Sequence, residues 1–543
     1  MRVVIIGGVA GGMSAATRLR RLDESAEIIV LERSGHVSYA NCGLPYYVGG
    51  VISDENKLYL QTPDSLHKRF RLDVRVNHEV IDISSEKKAV IVRDLLSTQK
   101  SEIHFDKLIL SPGATPIVPP IAGIERALTL RTVEDVLRIY DAVEVKPKSA
   151  VVIGGGFIGV EMAENLVHKG IKTSLIEALP QVLAPLDPEM AELVHQELRK
   201  NGIDLHLANS VKEITSEEVI LSDGSKVSAE LVIASIGVKP DITLARAAGV
   251  EIGSKGGISV NGFNQTSNPD IYAIGDVAEK NDDLTGESTL IPLANIANRH
   301  GRITADHIAG KKVREVSSVG TAIVKVFDLA VATTGWNAKK LRALGKEFTE
   351  IHTHPNSHAT YYPGATQFSL KLIFDPKSGE IFGAQGVGRD GVDKRIDVIS
   401  TSIRAGITAP ELADLELAYA PPFGSAKDPV NMLGYIADNI VSKSTEIAQW
   451  SEINKFIADG YALVDVRSQS EYANGTIPGS INIPVDELRE RHLEINNKKV
   501  IINCQVGQRG HVATMLLRSL GYDAKNLDGG YLTWINSPAG NIK

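Results

Sequence analysis

The chain has 543 residues, a net charge of −8 at neutral pH, and 43% hydrophobic and 23% charged residues. This composition is typical of a globular protein of about three to four domains, and its acidity gives no electrostatic reason to expect binding to nucleic acid or to an anionic membrane. Two cysteines cannot build a disulfide framework, and no apolar run reaches the ~20 residues of a membrane span, so we expect a cytoplasmic protein.

The N-terminus has the pattern of a dinucleotide-binding unit. A buried strand over residues 2–6 leads into the glycine turn Gly7–Gly12, an amphipathic helix follows, and the next strand ends at Glu32, 20 residues after the last glycine. In such a unit the glycines let the backbone approach a pyrophosphate, the helix N-terminus faces its charge, and the acid binds ribose hydroxyls. One position departs from the pattern, because Val9 stands where the second glycine is usual, unless Gly8 takes its place.

Cys42 follows this unit in the segment Ser38–Tyr47 and is one of only two cysteines in the chain. A lone cysteine is most often a small buried hydrophobic residue, but Ser, Asn, Gly and Pro surround this one, and these are loop residues. We therefore interpret Cys42 as a thiolate held near a redox cofactor. No second cysteine is near in sequence, so oxidation can be stored only as a sulfenate, a mixed disulfide or a persulfide.

A second glycine turn, Gly154–Gly159, repeats the pattern in full between a buried strand at residues 151–153 and a helix over residues 160–169. Its acid, Glu177, lies 18 residues after the last glycine, at the end of the next strand. An acid there binds a free ribose 2′-hydroxyl and repels a 2′-phosphate, so NADH is favoured over NADPH. Two such units in one chain are far more specific evidence for dinucleotide binding than one.

Strands on either side indicate that the second unit is inserted into the first. Residues 107–114 predict a strand that leaves the first domain through a proline-rich crossing, and the chain returns at residues 231–237. A further strand from residue 268 ends at Gly275 and Asp276. The predicted fold class is therefore α/β, with two interleaved Rossmann-like domains followed by further α/β and α+β domains.

This arrangement resembles the FAD- and NAD(P)-dependent pyridine nucleotide-disulfide oxidoreductases over about residues 1–440. The resemblance implies FAD at the first glycine turn and NADH at the second, with NADPH possible. The cofactor-binding residues that it implies are Gly7, Gly12, Glu32 and Asp276 for FAD, and Gly154, Gly156, Gly159 and Glu177 for the nicotinamide cofactor. The implied domains are 1–114 and 241–320 for FAD, 115–240 for NAD(P)H, and 321–440 for an α+β dimerisation domain.

Within that family, the segment around Cys42 resembles the single-cysteine branch, which contains coenzyme A-disulfide reductases, NADH oxidases and NADH peroxidases. Residues 361–365 and 418–423 resemble segments of the coenzyme A-disulfide reductases, in which tyrosines of the partner subunit reach over the catalytic thiol. The resemblance gives that role to Tyr361 and Tyr419, with Tyr362 as the competing residue. It implies a homodimer whose separated monomer is inactive.

The same resemblance implies a site for coenzyme A. Its residues are Ser14, Arg18, Arg21, Ser38, Asn41 and Lys427. Asn298 stands where a relative has histidine, which leaves that contact open. Arg18 and Arg21 are three apart on one helix face, and cations suit the phosphates of coenzyme A, although a solvated helix face without a ligand is the alternative.

After a polar linker at 441–449, residues 450–543 resemble a rhodanese domain. Cys504 opens a six-residue loop that ends at Arg509 and connects the buried strand 500–503 to a helix. Backbone N–H groups, the helix dipole and the guanidinium all lower a thiol pKa and stabilise a terminal sulfur anion. The alternative is a non-catalytic rhodanese-like module.

Together the two cysteines predict an FAD-dependent NADH:persulfide or polysulfide reductase. Cys504 accepts sulfane sulfur or delivers it as a coenzyme A persulfide, and the single redox-active Cys42 attacks the S–S bond. The predicted catalytic residues are Cys42, Cys504, Tyr361, Tyr419 and Arg509, and no metal is expected. The alternatives are a coenzyme A-disulfide reductase that maintains the thiol pool, an NADH oxidase or peroxidase, and a docking or sulfur-relay module without catalysis.

Overall fold

The computed structural model describes residues 1–315 and 317–540. Position 316, in the predicted range 241–320, and the last three positions of the predicted range 450–543 lie outside the described residues. The chain divides into a first unit, Met1–Pro180 with Gly202–Gly320, and a second unit, Gln181–Asn201 with Thr321–Lys543. Of the helices described, none is both long enough and apolar enough to cross a membrane.

Two parallel sheets, each of five strands within the described residues, form the centre of the first unit. The middle strand of each sheet is apolar from its second residue to its end, as expected for a strand that is buried on both faces. In spatial order, the strands of the first sheet are Ile271–Ala273, Lys107–Leu110, Arg2–Ile6, Glu27–Leu31 and Asp73–Arg75. Those of the second sheet are Asp204–His206, Lys172–Ile176, Ser149–Ile153, Leu231–Ala234 and Leu128–Thr129.

The order of these strands confirms the predicted interleaving. Lys107–Leu110 pairs with the N-terminal strand of the first sheet, after which the chain builds the second sheet. It then returns to add Ile271–Ala273 beside Lys107–Leu110. The predicted α/β fold with two Rossmann-like domains is therefore observed, and both glycine turns lie at the carboxyl edge of a parallel sheet, where such folds bind ligands.

Shorter elements surround the two sheets of the first unit. The antiparallel strands are His78–Ser84, Ala89–Asp94 and Lys100–His104; Val211–Ile214, Glu218–Leu221 and Lys226–Ser228; Ala114–Pro116 with Val238–Pro240; and Lys280–Asn281 with Ser288–Thr289. The α-helices are Ala10–Leu22, Leu44–Val48, Pro63–Phe70, Val133–Glu144, Phe157–His168, Thr243–Ala247 and Ala294–Ile308. The 3₁₀ turns are Asn41–Gly43, Glu55–Leu58, Ile124–Arg126 and Gly275–Val277.

The core of the first unit follows from the alternation of side chains along its strands. Val3 and Ile5 pack on one face of the first sheet with Leu19 of the helix that follows. Val4 packs on the opposite face, against the antiparallel strand that carries Val90. Full burial of each such side chain stabilises the fold by roughly 1.5–3 kcal/mol. The packing on both faces fixes the position of the sheet edge from which the glycine turn projects.

The second unit begins with an antiparallel sheet of five strands among the residues described, which agrees with the predicted α+β domain. In spatial order the strands are Ala322–Val326, Leu329–Gly335, Ile381–Gly388, Phe368–Phe374 and Thr349–Thr353. The helices are Pro188–Lys200, Ala338–Ala343, Val392–Ala405 and Pro429–Val441, with a 3₁₀ turn at Pro410–Asp414. Helix Pro188–Lys200 belongs to the second unit, although the residues before and after the segment Gln181–Asn201 belong to the first.

The C-terminal part of the second unit is a parallel α/β domain. Its strands, in spatial order, are Ile447–Ala448, Asp523–Leu527, Lys499–Asn503, Ala462–Asp465 and Ile481–Asn482. Its α-helices are Ile453–Ala458, Gln469–Ala473, Leu488–Arg491, Gln508–Ser519 and Gly530–Ile535, with 3₁₀ turns at Trp450–Glu452 and His492–Glu494. Cys504 therefore lies between a central buried strand and a helix, as the sequence predicts.

Candidate active site

The first glycine turn leaves the start of a helix open to an anion. Helix Ala10–Leu22 begins after Val9 with no side-chain cap and no acidic residue in its first turn. A Cβ atom at Gly12 would lie 1.9 Å from the Gly7 carbonyl oxygen, so only glycine permits this close turn. Glu32 Oε2 accepts a hydrogen bond of 2.8 Å from the Gly8 N–H group, which holds the acid beside the turn. Uncapped N–H groups at a helix start suit a pyrophosphate.

The second glycine turn has the same construction. Gly156 precedes helix Phe157–His168, which also lacks a side-chain cap and an acidic residue in its first turn, and no atom lies within 4 Å of a Cβ built at Gly156. Glu177 Oε2 accepts a hydrogen bond of 2.7 Å from the Gly155 N–H group. The buried Ser235 hydroxyl oxygen has no hydrogen-bond partner among the described residues. The turn, its acid and this free hydroxyl fit a second dinucleotide.

Asp276 lies in the turn that follows strand Ile271–Ala273 of the first sheet. Burial raises the pKa of its carboxyl, and the charges of Lys280 and Arg131 oppose that shift. The Lys280 ammonium is itself buried and donates to the carbonyl oxygens of Gly275, at 2.7 Å, and Ala278, at 2.9 Å. A partly buried carboxyl at the carboxyl edge of the sheet suits the hydroxyl groups of a polyhydroxylated ligand, such as the ribityl chain of a flavin.

Cys42 lies in the 3₁₀ turn Asn41–Gly43, immediately before helix Leu44–Val48. Its side chain is exposed, although surrounding protein atoms partly desolvate the thiol. This desolvation raises the pKa of Cys42, and the carboxylates of Glu161 and Asp276 act in the same direction. The charged side chains that face Cys42 therefore do not favour the predicted thiolate.

Glu161 is a neighbour of Cys42 that sequence reasoning missed. It lies in the first turns of helix Phe157–His168 and accepts a hydrogen bond of 3.2 Å from the Tyr46 hydroxyl. Burial raises the pKa of Glu161 to about 7, the Tyr46 hydrogen bond opposes the shift and Glu164 adds to it. The available signal was an acidic residue among the apolar residues at the start of a helix directly after a glycine turn.

Three of the residues predicted to bind coenzyme A lie on the first helix, and two of them are already partnered. The Ser14 hydroxyl donates to Asn298 Oδ1 at 2.8 Å, which is the position that the sequence left open. Arg18 pairs with Asp306, with its Nη2 atom 2.7 Å from Oδ1. Arg21 is exposed. Asp306 thus offsets part of the positive charge that the sequence predicted for phosphate binding, and Arg21 is the more accessible cation.

Ser38 and Asn41 connect the first glycine turn to the cysteine. The Ser38 N–H group donates to the Gly8 carbonyl oxygen at 2.8 Å, and Ser38 has a positive φ of 49°. Asn41 is exposed and begins the turn that contains Cys42. The backbone hydrogen bond from Ser38 to Gly8 thus holds the cysteine segment against the first glycine turn.

In the second unit, the hydroxyl oxygens of Tyr361 and Tyr419 lie 2.9 Å apart. Both side chains are exposed, and together with Lys427 they line a cavity of about 270 Å³. The competing Tyr362 instead packs its ring edge on His358, with 5.7 Å between ring centroids. The structure therefore pairs Tyr361, and not Tyr362, with Tyr419.

Cys504 is fully buried, and its Sγ atom accepts a hydrogen bond of 3.2 Å from the Gly507 N–H group. The Arg509 guanidinium donates two hydrogen bonds to the Glu471 carboxylate, at 2.6 and 2.8 Å. These bonds lower the pKa of Glu471 to about 2, and Glu471 and Cys504 together raise the pKa of Arg509 against the effect of burial. Arg509 thus faces the predicted sulfur site, but the Glu471 carboxylate neutralises part of its positive charge. Sequence analysis did not assign Glu471 to this site.

Arg467 is a second residue of this site that sequence reasoning did not assign. Its buried guanidinium pairs with Asp465 at 2.6 Å and donates to Gln505 Oε1 at 3.2 Å and to the Gly475 carbonyl oxygen at 2.7 Å. It also lies 4.2 Å from the ring centroid of Tyr531. The Asp-x-Arg pattern at the end of a strand was visible in the sequence, but its contact with the Cys504 loop (residues 504–509) was not.

Comparison with known protein families divides the chain into three matching regions. Residues 1–301 match the family described as pyridine nucleotide-disulphide oxidoreductase. Residues 321–429 match the dimerisation domain of the same class of enzymes, and residues 449–537 match the rhodanese-like domain. The regions agree with the two interleaved parallel sheets, the antiparallel sheet and the C-terminal parallel sheet.

Individual relatives cover between 80% and 98% of the chain. A coenzyme A disulfide reductase of Staphylococcus aureus strain JH9 is 34% identical over 440 residues, which are 80% of this chain and 99% of that protein. The reduced Bacillus anthracis CoADR-RHD structure is 49% identical with a TM-score of 0.97, and the match covers 98% of both chains. A NAD-dependent persulfide reductase from A. fulgidus is 36% identical with a TM-score of 0.93, over 98% of this chain and 100% of that chain.

Proposed function

The chain belongs to the pyridine nucleotide-disulphide oxidoreductase family, and on this premise we propose that it is an FAD-dependent reductase that uses NADH to reduce persulfides or polysulfides, coenzyme A persulfide among them. One observation carries the proposal. The chain has two cysteines, an exposed Cys42 beside the first glycine turn and Cys504 in a rhodanese-like domain, and each lies in a different unit. The A. fulgidus persulfide reductase, similar over nearly the full chain, supports the same interpretation.

The proposed reaction is balanced by the hydride of NADH. A persulfide R–S–SH, NADH and one proton give the thiol R–SH, hydrogen sulfide and NAD⁺, so one S–S bond breaks and two S–H bonds form. FAD, when bound, supplies the relay of the electron pair from the hydride to sulfur. The first glycine turn with Glu32 and Asp276 would hold FAD, and the second with Glu177 would hold NADH.

Cys42 has the nucleophilic role. Its thiolate attacks the S–S bond of the substrate, which forms a mixed disulfide or a protein persulfide and releases hydrosulfide or a thiol. Because desolvation and the carboxylates of Glu161 and Asp276 raise the pKa of this thiol, a proton must leave Cys42 before attack. Glu161, with a pKa near 7, is a suitable neighbour to hold that proton.

Cys504 has the sulfur-carrying role. A terminal sulfur on its Sγ atom would lie at the start of helix Gln508–Ser519, near the Gly507 N–H group and Arg509. Both groups stabilise an anionic persulfide. Sulfane sulfur accepted there would then pass to a small thiol such as coenzyme A for reduction at Cys42.

The active form is proposed to be a homodimer. Residues 321–429 match a dimerisation domain, and Tyr361, Tyr419 and Phe423 expose large aromatic surfaces in this region. Exposed aromatic patches of this kind are typical of protein interfaces. In the dimer, Tyr361 and Tyr419 of one subunit would complete the Cys42 site of its partner, and Lys427 would contribute to the coenzyme A site.

The test is anaerobic NADH oxidation with coenzyme A persulfide, polysulfide and coenzyme A disulfide. We expect Cys42→Ser to lose turnover of all three. We expect Cys504→Ser to retain turnover of preformed coenzyme A persulfide and to lose turnover that starts from a sulfane donor and catalytic coenzyme A. Equal rates for wild type and Cys42→Ser would remove Cys42 from the mechanism.

The S. aureus relative is the reason to include coenzyme A disulfide, since it is named a coenzyme A disulfide reductase. Faster turnover of the disulfide than of every persulfide, with no effect of Cys504→Ser, would favour that function instead. Consumption of oxygen or peroxide that outpaces every sulfur substrate would favour an NADH oxidase or peroxidase.

A further inference from the structure

A buried contact joins the antiparallel sheet of the second unit to the rhodanese-like domain. The backbone N–H group of His352, on strand Thr349–Thr353, donates to Asp528 Oδ1 at 3.1 Å, and its ring Nδ1 lies 2.5 Å from Asp528 Oδ2. The side chains are 1% and 4% exposed. The carboxylate of Asp528 is therefore held at both oxygens by one residue.

Asp528 directly precedes residues 529–532, whose backbone is hydrogen-bonded to the Cys504 loop. The Tyr531 N–H group donates to the Cys504 carbonyl oxygen at 2.7 Å, and the Leu532 N–H group donates to the Gln505 carbonyl oxygen at 3.0 Å. A Cβ atom at Gly530 would lie 2.4 Å from the Cys504 carbonyl oxygen, so the two backbones are in direct contact. A displacement of residues 528–532 would thus move the Cys504 loop.

A second histidine makes a parallel contact. His354 Nε2 lies 2.7 Å from the Thr533 hydroxyl oxygen, and its Nδ1 lies 2.9 Å from the Ser369 hydroxyl oxygen. His352 and His354 are two residues apart, which places both side chains on the same face of an extended chain. Two adjacent points therefore fix the segment from Asp528 to Thr533 to the sheet.

Behind His352, a buried charge network holds the ring in place. His352 Nε2 lies 3.0 Å from Glu189 Oε1, on helix Pro188–Lys200. The Lys371 ammonium lies 2.5 Å from Glu189, 2.9 Å from Asp187 and 2.6 Å from Glu350. These three carboxylates have the spacing of a cation site, but the lysine ammonium stands among them. Although burial alone would lower it, the pKa of His352 is raised to about 9 by Asp528 and Glu189.

We propose that His352 is a positioning residue for sulfur transfer at Cys504. With both ring nitrogens protonated, it bridges Glu189 and Asp528 and so fixes the backbone of residues 529–532 under the Cys504 loop. Buried ion pairs are weak evidence for stability, but they are well suited to fix one relative arrangement of two packed parts. The inference rests on the proposed sulfur-carrying role of Cys504.

The chain offers a matched pair of substitutions for the test. In His352→Asn the amide nitrogen stands near the position of Nδ1 and retains a donor toward Asp528. In His352→Gln the amide reaches the position of Nε2 and retains a donor toward Glu189, but the side-chain bond to Asp528 Oδ2 is lost and only the backbone bond to Oδ1 remains. If the side-chain contact with Asp528 positions the Cys504 loop, His352→Asn should preserve sulfur transfer better than His352→Gln. If the His352 side chain only fills space in the core, the larger Gln should preserve it better.

The assay follows transfer of sulfane sulfur from polysulfide to cyanide in the full-length protein with Cys42→Ser. Cys504 takes a sulfur atom from polysulfide, and cyanide removes it as thiocyanate, so the thiolate is regenerated without an external reductant. We expect His352→Gln to lower kcat by about 10- to 100-fold and His352→Asn to lower it much less. Amide hydrogen exchange of the peptides that contain Cys504 and Tyr531 should be faster than in wild type, and the increase should be larger in His352→Gln than in His352→Asn.

A separate assay on the Cys42-containing protein measures NADH oxidation with coenzyme A disulfide, which should be unchanged in both variants. Wild-type kcat and unchanged exchange in His352→Gln would overturn the positioning role. So would an equal loss of coenzyme A disulfide reduction and sulfur transfer, since that indicates general misfolding. A wild-type protein that transfers no sulfur would contradict the proposed role of Cys504 itself, and the positioning role with it.

Discussion

The hydroxyl oxygens of Tyr361 and Tyr419 lie 2.9 Å apart on two loops that are separated by 58 positions in the sequence. Both rings are exposed, so this hydrogen bond joins two side chains that no core holds in place. The hydrogen bond with Tyr419 raises the pKa of Tyr361. The pair thus presents one shared proton donor at the surface proposed to meet a partner subunit.

The tyrosine pair leads to the first prediction. Tyr361→Phe or Tyr419→Phe should lower kcat for coenzyme A persulfide by about 10- to 100-fold, because each removes a hydroxyl that can donate a proton to the leaving sulfur. Tyr362→Phe is the control, since its ring contacts His358 and not Tyr419, and it should leave kcat unchanged. The measurement is anaerobic NADH oxidation.

Hybrid dimers test whether the tyrosines act across the interface. One inactive protein carries Cys42→Ser, and the other carries Tyr361→Phe with Tyr419→Phe. If the tyrosines act in trans, exchange of subunits creates one intact site per hybrid dimer and activity returns. If activity does not return although mixed dimers are detected by mass spectrometry, the tyrosines do not act in trans.

The second prediction concerns the protonation of Cys42. Glu161→Gln should lower the pKa of Cys42, because it removes a carboxylate that opposes the thiolate. The pH profile of Cys42 alkylation by iodoacetamide should therefore shift to lower pH. Tyr46→Phe removes the hydrogen bond to Glu161 but keeps the charged group, so it should not reproduce this shift. An unchanged profile in Glu161→Gln would show that the two groups are not coupled.

The third prediction concerns stability and pH. The folded-state pKa of His352, about 9, lies above its ordinary value of 6.5. Its contribution to stability is therefore complete below about pH 6.5 and is lost as the pH rises through 9. The difference in thermal midpoint between wild type and His352→Gln should shrink over this interval, as measured by scanning calorimetry. A difference that stays constant from about pH 6 to about pH 10 would mean that His352 is not charged in the folded protein.

The fourth prediction concerns the support of the tyrosine loops. Arg395 is buried and donates to Asp428 at 3.0 Å and to the Ser357 carbonyl oxygen at 3.2 Å, which joins the two segments that carry the tyrosines. Arg395→Met should destabilise the second unit by about 3–5 kcal/mol, since it leaves the Asp428 carboxylate buried with a weaker partner. Addition of Asp428→Asn should restore part of this loss.

The control for this substitution is Arg389→Met. Arg389 pairs with Asp328 at 3.2 Å, but both side chains are more than half exposed. Its removal should change the free energy of unfolding by less than about 1 kcal/mol. Equal effects of the two substitutions in thermal unfolding would contradict the buried role of Arg395.

The parts of the fold that sequence reasoning predicted correctly are those with a local pattern. Each glycine turn lies between an apolar strand and a helix, and each acid follows about 20 residues later. Such patterns predicted the two parallel sheets and the order in which the chain visits them. The Cys504 loop was predicted in the same way, because a strand, a cysteine and a helix follow one another directly.

The contacts that sequence reasoning missed are those between distant positions. Nothing near Arg18 in the sequence indicates its partner Asp306, which lies 288 positions later. His352 is likewise one of several polar residues in its strand, as Glu189 is in its helix, and their shared burial depends on tertiary packing alone. The raised pKa of Cys42 also depends on tertiary packing, since it results from desolvation by surrounding protein atoms and from Glu161 and Asp276, which lie on separate elements of the first unit.

The path of the chain through helix Pro188–Lys200 has a consequence for biosynthesis. Glu189 leaves the ribosome 182 residues before Lys371, its nearest counter-charge, and Asp528 follows His352 by 176 residues. The nascent helix must therefore keep its carboxylates hydrated until Lys371 has been translated, because burial of an unpaired charge is costly. Translation order thus leaves the charges of a helix made in the first half of the chain unpaired until the antiparallel sheet that carries His352 and Lys371 has been made.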